Sequence, residues 1–222
     1  LYSARGIYYS AILGGLVNST ATGAEMLAFL TSKSNQLLSL IIPVVMLTVT
    51  AMALRNLLIL TLFAPQTIPL SLAPLLLMAG PAALLAWRNQ TVVKQDIGNV
   101  TLSSPISLKR VLKYGALFVL IEIAATLSQR FLGTIGFVGI SFVGGLASSA
   151  STTAAAASLV TRDGLSSHAA VAATIVATVA SAIVNIPLVY RHTRDRGIVL
   201  KFATASVVLA LLGLSILLLE LI

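Results

Sequence analysis

Two stretches of the chain concentrate side chains able to hold a polar ligand in an otherwise apolar sequence. "GGLVNSTATGAEM" starts at Gly14 and "GGLASSASTTAAAAS" at Gly144, each a glycine pair followed by leucine and a cluster of hydroxyls. Serine and threonine hydroxyls donate and accept, so Asn18, Ser19, Thr20 and Thr22 in the first stretch suit either helix capping or ligand contact. The same holds for Ser148, Ser149, Ser151 and Thr152 in the second. Three charged residues fall in or beside apolar segments: Arg55, Glu122 and Glu25. An ionisable group at membrane depth is costly and by default marks an ion or proton pathway. Glu122, inside "YGALFVLIEIAATLS", fits that description; its alternative is a structural carboxyl paired with a cation, for which Arg55 is the candidate. Asn56 and Asn185 offer amides either to unwound backbone or to a neighbouring helix.

The solvent around these residues follows from composition. Of 222 residues, 58% are hydrophobic and 9% charged, and mean hydropathy is +1.02. A water-soluble domain of this length needs far more polar surface. Runs of about 20 apolar residues, enough to cross a bilayer, recur along the chain. We therefore read an all-α polytopic integral membrane protein. The net charge of +8 marks orientation rather than nucleic acid as a partner. There is no cysteine, which excludes disulfide and thiolate chemistry. No P-loop, H-E-x-x-H or G-x-S-x-G occurs, and "GLSSH" sets serine beside histidine without dyad geometry, so no enzyme, cofactor or metal centre is expected. His168 is read as interfacial. The chain starts with "LYSARG", neither a signal peptide nor an initiator, and is expected to begin inside a longer protein.

Apolar segments run over about 6–30 (interrupted at 18–23), 37–63, 70–87, 111–128, 134–160 (interrupted at 147–153), 168–190 and 199–221. Pro74, Gly80 and Pro81 are tolerable kinks in the third. The polar segment after Trp87-Arg88 must lie in water, and reads as a short β-hairpin turning near Gly98-Asn99. At an offset of 130 residues, Gly14, Gly15, Leu16, Ser19, Thr22 and Ala24 meet Gly144, Gly145, Leu146, Ser149, Thr152 and Ala154. Each stretch is followed by a polar break and two spanning segments, and with a one-residue slip Asn56 meets Asn185. An internal duplication follows: a first repeat over 1–88 whose N-terminal helix is missing from the chain, a cytoplasmic linker over 89–108, and a second repeat over 109–222.

Charge orients the repeats. If the interrupted stretches cross the membrane, strongly basic loops lie on both sides. If they are re-entrant hairpins, eleven basic residues (Arg5, Lys33, Arg88, Lys94, Lys109, Arg110, Lys113, Arg191, Arg194, Arg196 and Lys201) lie inside and two, Arg130 and Arg162, outside. The positive-inside rule selects the second arrangement, with loops 89–108 and 191–201 cytoplasmic. Three crossings per full repeat then invert one copy relative to the other, an architecture recurrent in secondary transporters. The function expected is a secondary transporter or channel-like permease for a small ion or polar solute. Its site lies between the two hydroxyl-rich breaks, with Ser19, Thr22, Ser149 and Thr152 facing one another at the midplane. The alternative is a non-transporting membrane subunit that packs against and regulates a partner. Gly, Ala, Ser and Thr also serve plain helix packing in membranes. Sequons at Asn18 and Asn99 are discounted, the first as intramembrane and the second as cytoplasmic.

The order "GGLVNSTATGAEM", "TVTAMALRNLLIL", "SPISLKRVLKYGALFVLIEIAATLSQRFLG" and "GGLASSASTTAAAASL" resembles a C-terminal membrane domain of unknown function found behind MgtC/SapB-type domains of bacteria and archaea. The resemblance rests on a G-G-L-x-S-S-T-A-T-T-like motif at Gly14–Gly23, an arginine late in the next helix (Arg55), and Ser104-Pro105-Ile106-Ser107-Leu108 where the family has N-P-x-x-L. The second motif departs, with Ser148, Ser149 and Ser151 where the family usually carries acidic residues, so coordination of a divalent cation is not implied. The resemblance implies a bacterial or archaeal cytoplasmic membrane, a link to ion homeostasis, and a homo-oligomer or a preceding MgtC/SapB-type domain as partner.

The absence of native cysteine makes the orientation testable. Single cysteines replacing Lys33, Thr91 and Thr193 are expected to react with an impermeant maleimide from the cytoplasmic side, and one at Gly164 only from outside. Labelling of position 164 from the cytoplasm refutes the re-entrant arrangement.

Overall fold

A computed structural model describes residues 4–33, 35–89, 108–162 and 164–219. The described residues are almost all helical, in the order α1 (Ala4–Lys33), α2 (Ile41–Phe63), α3 (Ile68–Arg88), α4 (Leu108–Thr161), α5 (Ser167–Ile183), α6 (Asn185–Thr193) and α7 (Arg196–Leu219), with short 3-10 turns at Asn35–Leu40 and Pro65–Thr67. The expected β-hairpin near Gly98-Asn99 lies outside the described residues. Five helical segments are long and apolar enough to cross a membrane: 37–63, 65–88, 118–161, 167–193 and 196–215. Large apolar side chains such as Leu13, Val17, Phe63, Trp87, Phe131, Ile135 and Leu211 stand exposed on the outer faces. Water does not tolerate so much contiguous apolar surface, whereas lipid does. The protein is thus an integral membrane protein.

Most of α2 and of α5–α6 is buried, and α3, α4 and α7 present most of their surface outward. One apolar core joins α1, the first half of α2 and α6–α7; a second joins the end of α2, α3, the end of α4 and α5. Pro187 explains why α5 stops at Ile183. It has no N–H to offer and its ring crowds the carbonyl four residues back, so the ladder is interrupted and resumes as α6. The basic stretch 191–201, expected as a loop, is mostly helical. Arg194 takes the left-handed conformation and Asp195 caps α7 through the Gly197 and Ile198 amides at 2.7 and 3.2 Å, so only Arg194 and Asp195 form the turn.

The two longest helices are broken. α1 has one extended residue, Asn18 (φ −155°, ψ 104°); α4 has Gly133 (φ 64°, ψ −158°) and Ser148 (φ −164°, ψ 106°). These breaks reverse the chain. A Cβ on Gly14 would lie 2.6 Å from Thr22 Oγ1, and one on Gly144 2.6 Å from Thr152 Oγ1. Residues eight apart in a straight helix are separated by about 12 Å along the axis. Both pairs are centred on the extended residue, four positions to either side, so the limbs fold back on each other. Across Gly133, Ile121 likewise approaches Gly144. Its positive φ is a conformation that an L side chain rarely adopts.

The second glycine of each pair has a different duty. A Cβ on Gly15 would meet the Thr48 backbone at 3.0 Å and Ala51 Cβ at 3.0 Å in α2, and one on Gly145 would collide with the Ala177 backbone in α5. Thus the first glycine admits the returning limb and the second admits the next helix. Gly145→Ala is expected to destabilise the protein in detergent by about 1–3 kcal/mol, the scale of overpacking a tight site. Gly80→Ala, where a Cβ meets nothing within 4 Å, should be neutral or slightly stabilising. Thermal unfolding of the two variants checks both; equal melting temperatures refute the assigned role of Gly145.

Candidate functional site

Each break ends one helical limb and starts another, leaving amides and carbonyls without intrahelical partners. Asn18 and Ser148 act as N-caps of the limbs that follow: Asn18 Oδ1 accepts the Ala21 amide at 2.9 Å, and Ser148 Oγ accepts the Ser151 amide at 3.2 Å. Their extended backbone is the usual N-cap conformation, and the side-chain oxygen takes the amide three residues on. Ser151 Oγ adds a 3.1 Å bond to Ser148 Oγ, and Thr152 Oγ1 donates to Ser148 O at 3.0 Å.

Arg55, late in α2, answers the carbonyls that end the first limb of α1. Its Nη1 donates to Gly15 O at 3.5 Å and Val17 O at 3.3 Å. A cation is also favoured at a helix C-terminus by the dipole. The Nη2 of Arg55 reaches Ser149 Oγ at 3.1 Å, the first residue of the limb after the α4 break. One guanidinium therefore touches the break at Asn18 and the break at Ser148. Asn56 Oδ1 accepts from Arg55 Nε and Nη2 at 3.4 and 3.3 Å, and Asn56 Nδ2 donates to Thr178 Oγ1 in α5 at 2.9 Å. Thr178 Oγ1 in turn donates to Thr174 O at 2.7 Å. Among the described residues, the network links α1, α2, α4 and α5 through neutral acceptors alone.

The two halves of the chain resemble each other around this network. Buried and exposed positions over 11–25 recur over 141–155 except at Gly14/Gly144 and Glu25/Ala155, and those over 52–60 recur over 181–189 without exception. The second register sets Asn185 against Asn56 and Val184 against Arg55. Asn185 donates from Nδ2 to Ser181 O at 3.2 Å, but its Oδ1, buried beside Gly23, has no partner.

The remaining expected residues fall as follows. Ser19 is buried and Thr20 half-buried at the first break. Thr22 and Thr152 are buried, each packed against the glycine eight residues before it, Gly14 and Gly144. Arg55 and Glu122, considered as a pair, take different partners. Glu122 Oε1 accepts from Ser158 Oγ at 3.1 Å and meets Arg162 Nη2 at 3.4 Å. That pair lines an open cleft with Val119, Ile123, Thr126 and Leu127. The fold-back at Ser148 brings the 158–162 end against Glu122, a proximity invisible in sequence. Glu25 is exposed on the limb after Asn18. Thr178, Ser158 and Arg162 were not singled out as partners; only an i, i+4 threonine pair in α5 hinted at the first.

Removing either cap tests the site's construction. Asn18→Ala and Ser148→Ala should each lower stability by about 0.5–2 kcal/mol, the measured range for lost N-caps, while Asn18→Asp should retain most of it. Chemical or thermal unfolding in detergent reads the difference, and an unchanged Asn18→Ala protein would remove the capping assignment.

No curated protein and no solved structure matches the chain. A family model does, over residues 1–192, a range that takes in both breaks, Arg55 and Asn185 and stops before α7. Its description names neither an activity nor an association with MgtC/SapB-type domains. On that match, the chain belongs to the family described as a domain of unknown function, DUF4010.

Proposed function

We propose that the protein is a secondary transporter or channel-like permease for a small ion or polar solute, built from two inverted repeats with re-entrant hairpins. The observation that carries this reading is the convergence of both helix breaks on Arg55. Interrupted helices that meet inside a membrane protein supply unpaired backbone groups and mobile side-chain donors in one place. Limb length supports re-entry. The limbs over 4–17 and 19–33 have 14 and 15 residues, and those over 134–147 and 149–161 have 14 and 13. At 1.5 Å per residue each reaches about 20 Å, short of the roughly 30 Å hydrocarbon layer. Limb 108–132 is long enough to cross alone. Between the hairpins the chain then crosses three times, through α2, α3 and limb 108–132, so the hairpins open to opposite faces.

The alternative, a non-transporting subunit that regulates a membrane partner, is favoured by one observation: the donors of Arg55 are occupied by groups of this chain. Reconstitution separates the two. Purified protein in proteoliposomes should conduct or exchange at least one member of a panel of inorganic ions and small polar solutes. Glu122→Gln should flatten the pH dependence of that flux while the protein stays inserted and folded. Folded, reconstituted protein that moves none of the panel refutes the transport reading in favour of the subunit.

A further inference from the structure

We propose that Arg55, Ser149 and Thr153 form a subsite for a small oxyanion, the class of substrate to which the proposed transport site is addressed; the proposal deepens that reading and its test is separable from it. Arg55 carries a full charge, and among the described residues none of its partners is a carboxylate: they are two backbone carbonyls, one amide oxygen and one hydroxyl. Glu122, whose position suggests a counter-ion, is engaged by Arg162. A desolvated cation without an opposite charge is costly. The bonds it makes are long, 3.1–3.5 Å, where guanidinium bonds to an anion settle at about 2.7–2.9 Å. Its five donors therefore hold acceptors weaker than the one their planar fork fits best, a bidentate oxyanion.

A second, independent observation lies on α4. Ser149, which touches Arg55, and Thr153 are four residues apart in the limb 149–161, hence on one face and one turn apart. Thr153 is fully buried, and its hydroxyl has no partner. Ser149 Oγ, now an acceptor, also owns a proton it can donate. An oxyanion between them would accept from Arg55 Nη2, Ser149 and Thr153, displacing the 3.1 Å Arg55–Ser149 bond. The start of the limb adds positive dipole in the same sense.

The test uses the purified full chain in detergent, titrated with sodium acetate, nitrate or phosphate against chloride at constant ionic strength. At ten times its dissociation constant a bound oxyanion should raise the melting temperature by about 3–6 °C. The rise should vanish in Arg55→Gln, persist in part in Arg55→Lys, and need about tenfold more anion in Thr153→Val. A rise that survives in Arg55→Gln is a general salt effect and overturns the proposal, as does the absence of any rise in the wild type. If Arg55→Gln fails to fold, Ser149→Ala and Thr153→Val decide: an unaltered anion response in both overturns it. An Arg55-dependent rise without flux in proteoliposomes leaves the subsite standing and refutes transport. Flux of cations or neutral solutes alone, with no anion response, does the reverse.

Discussion

A helix broken inside an apolar surrounding leaves amides and carbonyls without intrahelical partners, and the polar side chains around Asn18 and Ser148 accommodate that constraint. Asn18 and Ser148 satisfy amides at the two starts, and Arg55 satisfies carbonyls at one end. The paired glycines exist because the limbs must fold back and still pack beneath the next helix. The surrounding polar side chains, Asn56, Thr178 and Thr152, complete the hydrogen bonding at small cost, since each has a partner within the protein.

Much of this was legible because membrane sequences carry strong, simple signals. Apolar length marked the spanning segments, and the repeated Gly-Gly-Leu with its hydroxyls marked both breaks to within a few residues. Asn18 lay at the edge of its expected interruption and Ser148 inside its own. The break at Gly133 was not read, because one glycine between apolar runs resembles any packing glycine; its positive φ appears only in three dimensions. The Arg191–Lys201 stretch was misjudged as a loop because charged residues at a membrane surface remain helical when a compact turn such as Arg194-Asp195 joins two helices.

Side-chain partners were the least legible. Arg55 and Glu122 are the charges deepest in the sequence of apolar segments, and opposite charges invite pairing. The fold-backs in α4 instead carry Ser158 and Arg162 to Glu122, and leave Arg55 to backbone oxygens 40 and 38 residues upstream and a hydroxyl 94 residues downstream. Such contacts depend on chain reversal, which hydropathy does not encode. Thr22 and Thr152 illustrate the same point at short range: the glycine eight residues earlier decides where the methyl and hydroxyl go.

Val184 stands where α5–α6 would need an arginine to copy α2, so Arg55 has no counterpart at that register. Arg55 holds α1 by two backbone carbonyls and α4 by one side-chain hydroxyl. Any separation of the breaks at Asn18 and Ser148 therefore costs the one Arg55–Ser149 bond, while two carbonyl bonds still tie α2 to the end of the first limb of α1.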